Sequence, residues 1–460
     1  MPPRYARDPA VNCSLKHSVR DGAAFSVMAG TGESYLTPFA IFLKASTAQI
    51  GFLSSVPPLL ASFAQLFSAW LGHKTGHRRG IILTGAFLQG LVWIPMAALP
   101  LWFPEHAVAL LIGCVTLYYM LANLIQPQWA SLMGDLVSEK RRGRYFAMRN
   151  RICSMTSFAS MVVGGLILQY FDQTEATITG YLLLFGIAFL SRMLSFYYLT
   201  RMHDPTGHVA SVEIPVNRNW WSALRQSQFA RFSLFFTLLQ LAVAIASPFF
   251  SVYLLRDLNF SYLQLMSCMA STVLMQVLTL NRWGFIADRF GNRVILMSCG
   301  MLIPFVPLLW LFSDNFIYLI LVQAFGGAIW AGFNLSASNF VYDLLASNKR
   351  ATFMAFHNVF SNIGVFIGAL LGGYLGMQLP KDFSLFGYEV HWISSLYGIF
   401  LLSFILRMIM VLWLLPFIKE SRKVKPITFT QLVFRVGRFS SVSGLIFDII
   451  GNRKKRRGDN

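Results

Sequence analysis

Twelve runs of about twenty apolar residues, separated by short polar or charged stretches, limit what this chain can become more than any other feature in it. Each run is long enough to cross a hydrocarbon core of about 30 Å as a helix. Inside a bilayer every main-chain N–H and C=O must find its partner within the segment, so the runs predict helices rather than open strands. They cover approximately residues 22–43, 48–71, 80–103, 107–133, 152–171 and 178–200, then 229–254, 261–287, 294–312, 316–344, 351–376 and 393–418. The expected fold is an all-α integral membrane protein with twelve transmembrane helices. Only 12% of the residues are charged, about half the share of a soluble domain.

The formal charge of +19 would suggest nucleic acid in a soluble protein, but its placement points elsewhere. Lys74, Arg78, Arg79, Lys140, Arg141, Arg142, Arg144, Arg201, Arg289, Arg293, Lys349 and Arg350 fall in one set of loops, with the basic N-terminal stretch and tail. The alternate loops keep only Lys44, Arg256 and Lys381, beside seven acids from Glu105 to Glu389. Positive charge is retained on the cytoplasmic side. Both termini are therefore expected in the cytoplasm, in a bacterial inner membrane, and no nucleic-acid partner is expected.

Along the chain this gives an N-terminal tail (1–20), a six-helix bundle (21–200), a linker (201–228) containing Pro205, Gly207 and Pro215, a second bundle (229–419) and a basic tail (420–460). The tail sets Phe429, Leu432, Val433, Val436 and Phe439 against Arg435 and Arg438 and ends in Arg453-Lys454-Lys455-Arg456-Arg457. That pattern suits an interfacial helix on anionic lipid, or a disordered tail that follows the positive-inside rule.

The two bundles are copies. At an offset of 208 residues, Asp135 to Gly165 aligns without a gap with Asp343 to Gly373, and eight of thirty-one positions are identical. At an offset of 215, Arg192 meets Arg407, and the charged turn Trp283 to Arg293 has a weaker counterpart at Gly72 to Arg79. Parallel repeats of this kind place a substrate near the midplane between the halves.

The turn Gly284, Asp288, Arg289, Gly291 and Arg293 is similar to the loop signature of the major facilitator superfamily, and the resemblance extends from about Gly22 to Lys419. The first copy keeps Lys74, Gly76, Arg78 and Arg79 but has His73 in place of the usual acid. The resemblance implies two pseudo-symmetric six-helix bundles rocking about a central site. It also implies a cytoplasmic brace in which Asp288 approaches Arg144, Arg149 and Asn150 at the start of span 5. A drug-antiporter signature in span 5 is incomplete, since Ser160 and Met161 stand where glycine and proline would be.

Polar groups inside the apolar runs are the candidate cavity residues, because each needs a partner or a wet surface. Glu33 lies eleven residues into the first run, about 17 Å deep, where a carboxylate could load a proton. Tyr35, Asn123, Gln126, Gln240, Gln276, Gln323 and Asn334 are candidate cavity or interhelical contacts. Arg192 and Arg407 are read either as cavity cations or as side chains snorkelling to headgroups. The candidate cytoplasmic gate comprises Lys74, Gly76, Arg78, Asp135, Arg144, Arg149, Asn150, Gly284, Asp288, Arg289, Gly291, Arg293, Asp343, Arg350, His357 and Asn358. Within it, Gly284 is read as a close-packing position, Asp135 and Asp343 as partners of Arg144, Lys349 and Arg350, and Gly364, Gly368 and Gly372 as a packing face.

These readings predict a monomeric secondary active transporter of a small solute, with Glu33 as the candidate group for coupling to protons. The alternative is a non-transporting sensor or lipid-handling protein of the same fold. No Walker motif, nucleophile elbow or paired metal spacing is visible. No enzyme activity, cofactor or metal is expected.

Overall fold

The computed structural model describes residues 8–137, 139–204, 228–344, 350–380, 382–385 and 388–417. Residues 205–227 of the linker and the basic tail from 418 lie outside the described residues, as do the side chains of His73, Arg144, Asp288 and Arg350. The expected Asp288 brace and tail helix fall on these residues.

Among the described residues, eleven helices are long and apolar enough to cross a bilayer. Span 2 is Thr47–Thr75, span 4 Ala107–Leu136, span 5 Glu139–Gln173, span 6 Thr177–Thr200, span 8 Tyr262–Phe290, span 10 Phe316–Leu344 and span 11 Arg350–Gln378. Spans 3, 7 and 9 are interrupted, and span 12 is a single helix. Span 3 is Arg78–Leu91 and Trp93–Trp102; span 7 is Gln228–Ala244 and Phe249–Val252; span 9 is Asn292–Leu302 and Phe305–Leu309; span 12 is Leu396–Leu414. Prolines account for two of the breaks, because Pro248 and Pro304 have no N–H to continue the ladder.

Span 1 is the twelfth, and it begins earlier than the hydropathy predicts. Asp8 caps a helix Pro9–Thr31 by accepting from the Ala10 amide at 2.9 Å, so most of the expected tail is helical and Asp21 lies well inside the bundle. The helix then breaks at Gly32, passes through a 3₁₀ turn at Glu33–Tyr35 and resumes as Leu36–Phe42. One element is not helical: between spans 11 and 12, Asp382–Leu385 pairs antiparallel with Tyr388–His391.

Packing separates the two faces of the molecule. One continuous apolar core joins both halves on the face opposite the termini, running from Met28 and Phe39 through Ile245 and Phe249 to Phe400. On the terminus-bearing face the core divides into one cluster around Phe232, Ile295 and Phe340 and another around Leu15, Leu132 and Tyr145. Each belongs to a single half. The halves are thus sealed at one face and parted at the other. Large apolar side chains such as Phe67, Trp102, Phe312 and Ile317 are exposed around the perimeter, as a lipid-facing surface requires.

Glycine makes two of these contacts possible. Gly364, Gly368 and Gly372 lay one face of span 11 against the span 7 carbonyls of Thr237, Leu241 and Ile245, too close for any Cβ. Gly284 has no such role, since a Cβ there would meet only Leu335 Cδ2, at 3.9 Å. The close approach on that stretch comes from Gly332, which packs on the Trp283 ring.

Candidate functional site

Three helices of the first half bring charge to one place. Asp21 in span 1, Arg149 in span 5 and Arg192 in span 6 meet around Ser195, one turn beyond Arg192. Ser195 Oγ donates to Asp21 Oδ1 at 2.7 Å and accepts from Arg192 Nη1 at 2.7 Å. Arg149 Nη2 stands 3.5 Å from Asp21 Oδ2. Its Nε donates to the Ser18 carbonyl at 3.2 Å, and its guanidinium lies 4.4 Å over the Trp129 ring. Asp21 and Arg192 are only 4% and 3% exposed. Buried charges persist when they are paired, and here one carboxylate serves two guanidiniums.

These groups form part of the wall of a cavity of about 350 Å³. Phe25, Gln89, Tyr119, Ala122, Asn123, Ile125, Gln126, Trp129 and Leu199 complete it, so every lining residue belongs to the first half. Gln89 has no exposed surface, and neither of its amide atoms has a partner; Arg192 Nε is also unpaired. Each unmatched buried polar atom costs about 1–3 kcal/mol. The wall therefore offers donors and an acceptor that a polar guest can satisfy.

Glu33 sits at the break of span 1, partly buried, where it accepts from the Tyr118 hydroxyl of span 4. Trp93 packs edge-on against Tyr118 at 5.1 Å and abuts Gly32, next to Glu33 in the chain. Arg192 lies within electrostatic reach of both Glu33 and Asp21. Replacing Glu33 with Gln keeps an acceptor for Tyr118 and should leave the melting temperature within a few degrees of the parent. Replacing it with Leu leaves that hydroxyl with only the Met28 sulfur at 3.6 Å, and should cost about 1–3 kcal/mol. Equal losses for the two variants in a thermal melt would show that the hydrogen bond does not hold the break.

The other predicted residues divide clearly. Asn123, Gln126 and Arg192 meet at the cavity, and Arg149, expected at the gate, joins them. Tyr35 does not: it is fully buried, donates to the Met161 carbonyl at 2.5 Å and ties span 1 to span 5. Gln323 accepts from Thr272 at 3.2 Å within the second half, while Gln240, Gln276 and the exposed Asn334 are not among the lining residues. Neither Arg192 nor Arg407 snorkels. Arg407 is 1% exposed and donates to the Val243 and Ile303 carbonyls at 3.2 and 3.4 Å, where spans 7 and 9 break.

At the terminus-bearing face Asp135 pairs with Arg78 at 2.6 Å, and Arg78 also binds Asp204 at 2.6 Å; the expected partners Arg144 and Arg350 have side chains outside the described residues. Asp343 accepts from Asn292 at 3.1 Å. Gly76 caps span 2 with φ of 65°, Gly291 joins spans 8 and 9 with φ of 89°, and Lys74 and Arg289 lie over the rings of Trp70 and Phe290. Asn150 is exposed at the start of span 5, and Asn358 is half-buried in span 11. His357 is buried among Phe229, Phe232 and Phe236, with Nδ1 3.0 Å from Ser233 Oγ. Asp21, Gln89, Ser195 and Asp204 were not predicted.

The repeat makes the asymmetry of the site plain. Arg149 corresponds to His357 at the 208 offset, so where spans 1 and 5 meet through an ion pair in the first half, spans 7 and 11 meet through an imidazole to hydroxyl contact, His357 to Ser233, in the second.

Two repeated six-helix halves, sealed at one face around a polar cavity on the other side of the seal, define a secondary active transporter of a small solute. The sequence matches the MFS_1 like family over residues 25–388, and the chain belongs to that family. No curated protein is similar enough to be matched to it. Among solved structures, the nucleoside transporter NupG is 17% identical, with a TM-score of 0.67 over 89% of this chain and 100% of that one. The D-xylose-proton symporter is 13% identical, with a TM-score of 0.68 over 90% and 99%. A bacterial homolog of the human lysosomal transporter Spinster, inward-facing and occupied, is 12% identical, with a TM-score of 0.64 over 90% and 97%. Identities this low carry the fold alone.

Proposed function

We propose that the chain moves a small polar solute by alternating access, seating it in the first-half cavity and using protons as the coupling ion. The observation that carries this reading is the one-sided seal: a single core spans both halves on one face, and separate cores occupy the other. With both termini in the cytoplasm of a bacterial inner membrane, as the charge distribution implies, this is the inward-open state. Glu33 and Asp21, both within reach of Arg192, are the proton-carrying groups of span 1. The protein works as a monomer, and its basic tail rests on anionic lipid.

Ala122 lines the cavity without a polar role, so a cysteine there reports access while sparing the charged groups. In a background with the exposed Cys13 replaced by serine, a membrane-impermeant maleimide should label Ala122→Cys both in intact cells and in inverted vesicles. Labelling from one face alone, under every pH and solute gradient applied, would show a fixed pocket and remove the transport cycle proposed here.

A further inference from the structure

We propose that the cargo is a small organic carboxylate, and that it binds by displacing Asp21 from the two arginines, so that one proton enters on Asp21 with each anion. The inference rests on the alternating-access reading but concerns the occupant of the cavity. Charge is the first argument. The wall holds two cations, Arg149 and Arg192, and one anion, Asp21. The wall therefore carries a net charge of +1, and a monoanion that takes the place of Asp21 against the two guanidiniums keeps that balance once Asp21 is protonated.

Geometry is the second. Arg149 holds Asp21 only loosely, at 3.5 Å, and Arg192 reaches it only through Ser195. Gln89, fully buried with both amide atoms unpaired, and Arg192, whose Nε is also unpaired, are both among the lining residues. A carboxylate entering here gains charge-assisted hydrogen bonds from a guanidinium. It also supplies an acceptor for the Gln89 amide. The Ser233 to His357 contact of the other half has neither a guanidinium nor a carboxylate, which assigns the charged end of the solute to the first half.

Size and chemistry make the third argument. A cavity of about 350 Å³ exceeds the needs of a bare inorganic ion, and Phe25, Trp129 and Leu199 give it apolar walls. The guest therefore has an organic body.

Asp21 and the incoming anion cannot both remain charged against the same guanidiniums. The groups facing Asp21 are Arg149 from span 5 and Arg192 with Ser195 from span 6, and Glu33 acts on it through Arg192. As the anion takes the cations, a proton from water on the open side neutralises the Asp21 carboxylate, and no net charge is added to the protein. Release reverses both events. Anion affinity should then rise about tenfold for each unit fall in pH, the slope of one linked proton.

The test uses the full chain in detergent, with benzoate, its uncharged counterpart benzamide and inorganic phosphate as probes. Between about pH 8 and about pH 6, where benzoate stays ionised, benzoate should raise the melting temperature increasingly as pH falls. Mixing it with protein in weak buffer should take up one proton for each bound anion. Benzamide should have no effect, and phosphate should stabilise less than benzoate. Asp21→Asn should bind benzoate with no pH slope and no proton uptake. Arg149→Gln should lose binding, and Arg149→Lys, the control for folding, should retain part of it. Benzamide acting as strongly as benzoate, or no probe binding at all, would overturn the anion assignment. Phosphate matching benzoate would overturn the organic body, and an unchanged pH slope in Asp21→Asn would overturn the role of Asp21. None of these results depends on the two-face labelling of Ala122→Cys, so the cargo and the transport cycle can fail separately.

Discussion

Leucine at position 51 should force the sealed face open. A Cβ on Gly51 would lie 2.6 Å from the Ala369 carbonyl oxygen of span 11, and that oxygen belongs to a helix backbone that cannot rotate aside. The contact continues along the same pair of helices, where a Cβ on Gly373 would lie 3.1 Å from the Ala48 Cα and from the Thr47 carbonyl oxygen. Arg256 adds a bond to Thr47 at 3.2 Å, and the Tyr181 and Tyr262 rings meet at 5.9 Å across spans 6 and 8. Overpacking a close contact costs about 1–3 kcal/mol. In a protein that can relieve the clash by parting its halves, that cost falls on the sealed state alone. A bias of 1.4 kcal/mol is about tenfold in population, so labelling of Ala122→Cys from the face now closed should rise about five- to a hundredfold. The melting temperature should change little, because each half keeps its own core. A rate that does not change would mean that spans 2 and 11 do not form the gate.

The sequence made the fold legible because hydropathy and charge are read directly by the bilayer, and a duplication leaves its register in the chain. The Arg192 and Arg407 pair shows where that reading stops. Their offset revealed the repeat, but a long side chain in an apolar run satisfies two physical accounts, and only packing against Ser195 or against the broken ends of spans 7 and 9 decides between them. Asp21 was hidden by a boundary: eight polar or charged residues near it look like a tail, while Asp8 and Pro9 extend the helix outward and carry it into the bundle. Gln89 is a single amide in an otherwise apolar run, and its character lies in what it fails to contact, which sequence does not record. Asp204 was assigned to a linker because Pro205 follows it, yet it closes over Arg78. Gly284 shows the opposite error, a motif glycine taken for a packing contact that its neighbour across the groove, Gly332, provides instead.

Two fully buried arginines should respond very differently to the same replacement. Arg78→Met removes the cation that Asp204 binds through two guanidinium nitrogens at 2.6 and 3.1 Å, and that Asp135 binds at 2.6 Å. Two carboxylates then face each other at the junction of spans 3, 4 and 6, and Asp204 is only 11% exposed. Breaking a buried ion pair from one side costs about 3–5 kcal/mol. Asp135 is 42% exposed and water screens it, which puts the expectation at the lower end, about 3 kcal/mol. Arg407→Met removes a charge whose guanidinium is held, among the described residues, by backbone carbonyls. Val243 O keeps the Ala246 and Ser247 amides at 3.1 and 3.0 Å, and Ile303 O keeps the Val306 amide at 3.3 Å. Methionine fills most of the same volume without a buried charge. The loss there should stay under about 1 kcal/mol. Thermal melts of both variants in detergent decide the matter, and adding Asp204→Asn to Arg78→Met should recover part of the stability by removing the repulsion. If Arg407→Met proves the more damaging, the carbonyls at the breaks depend on that guanidinium and the hinge of the second half is built on it.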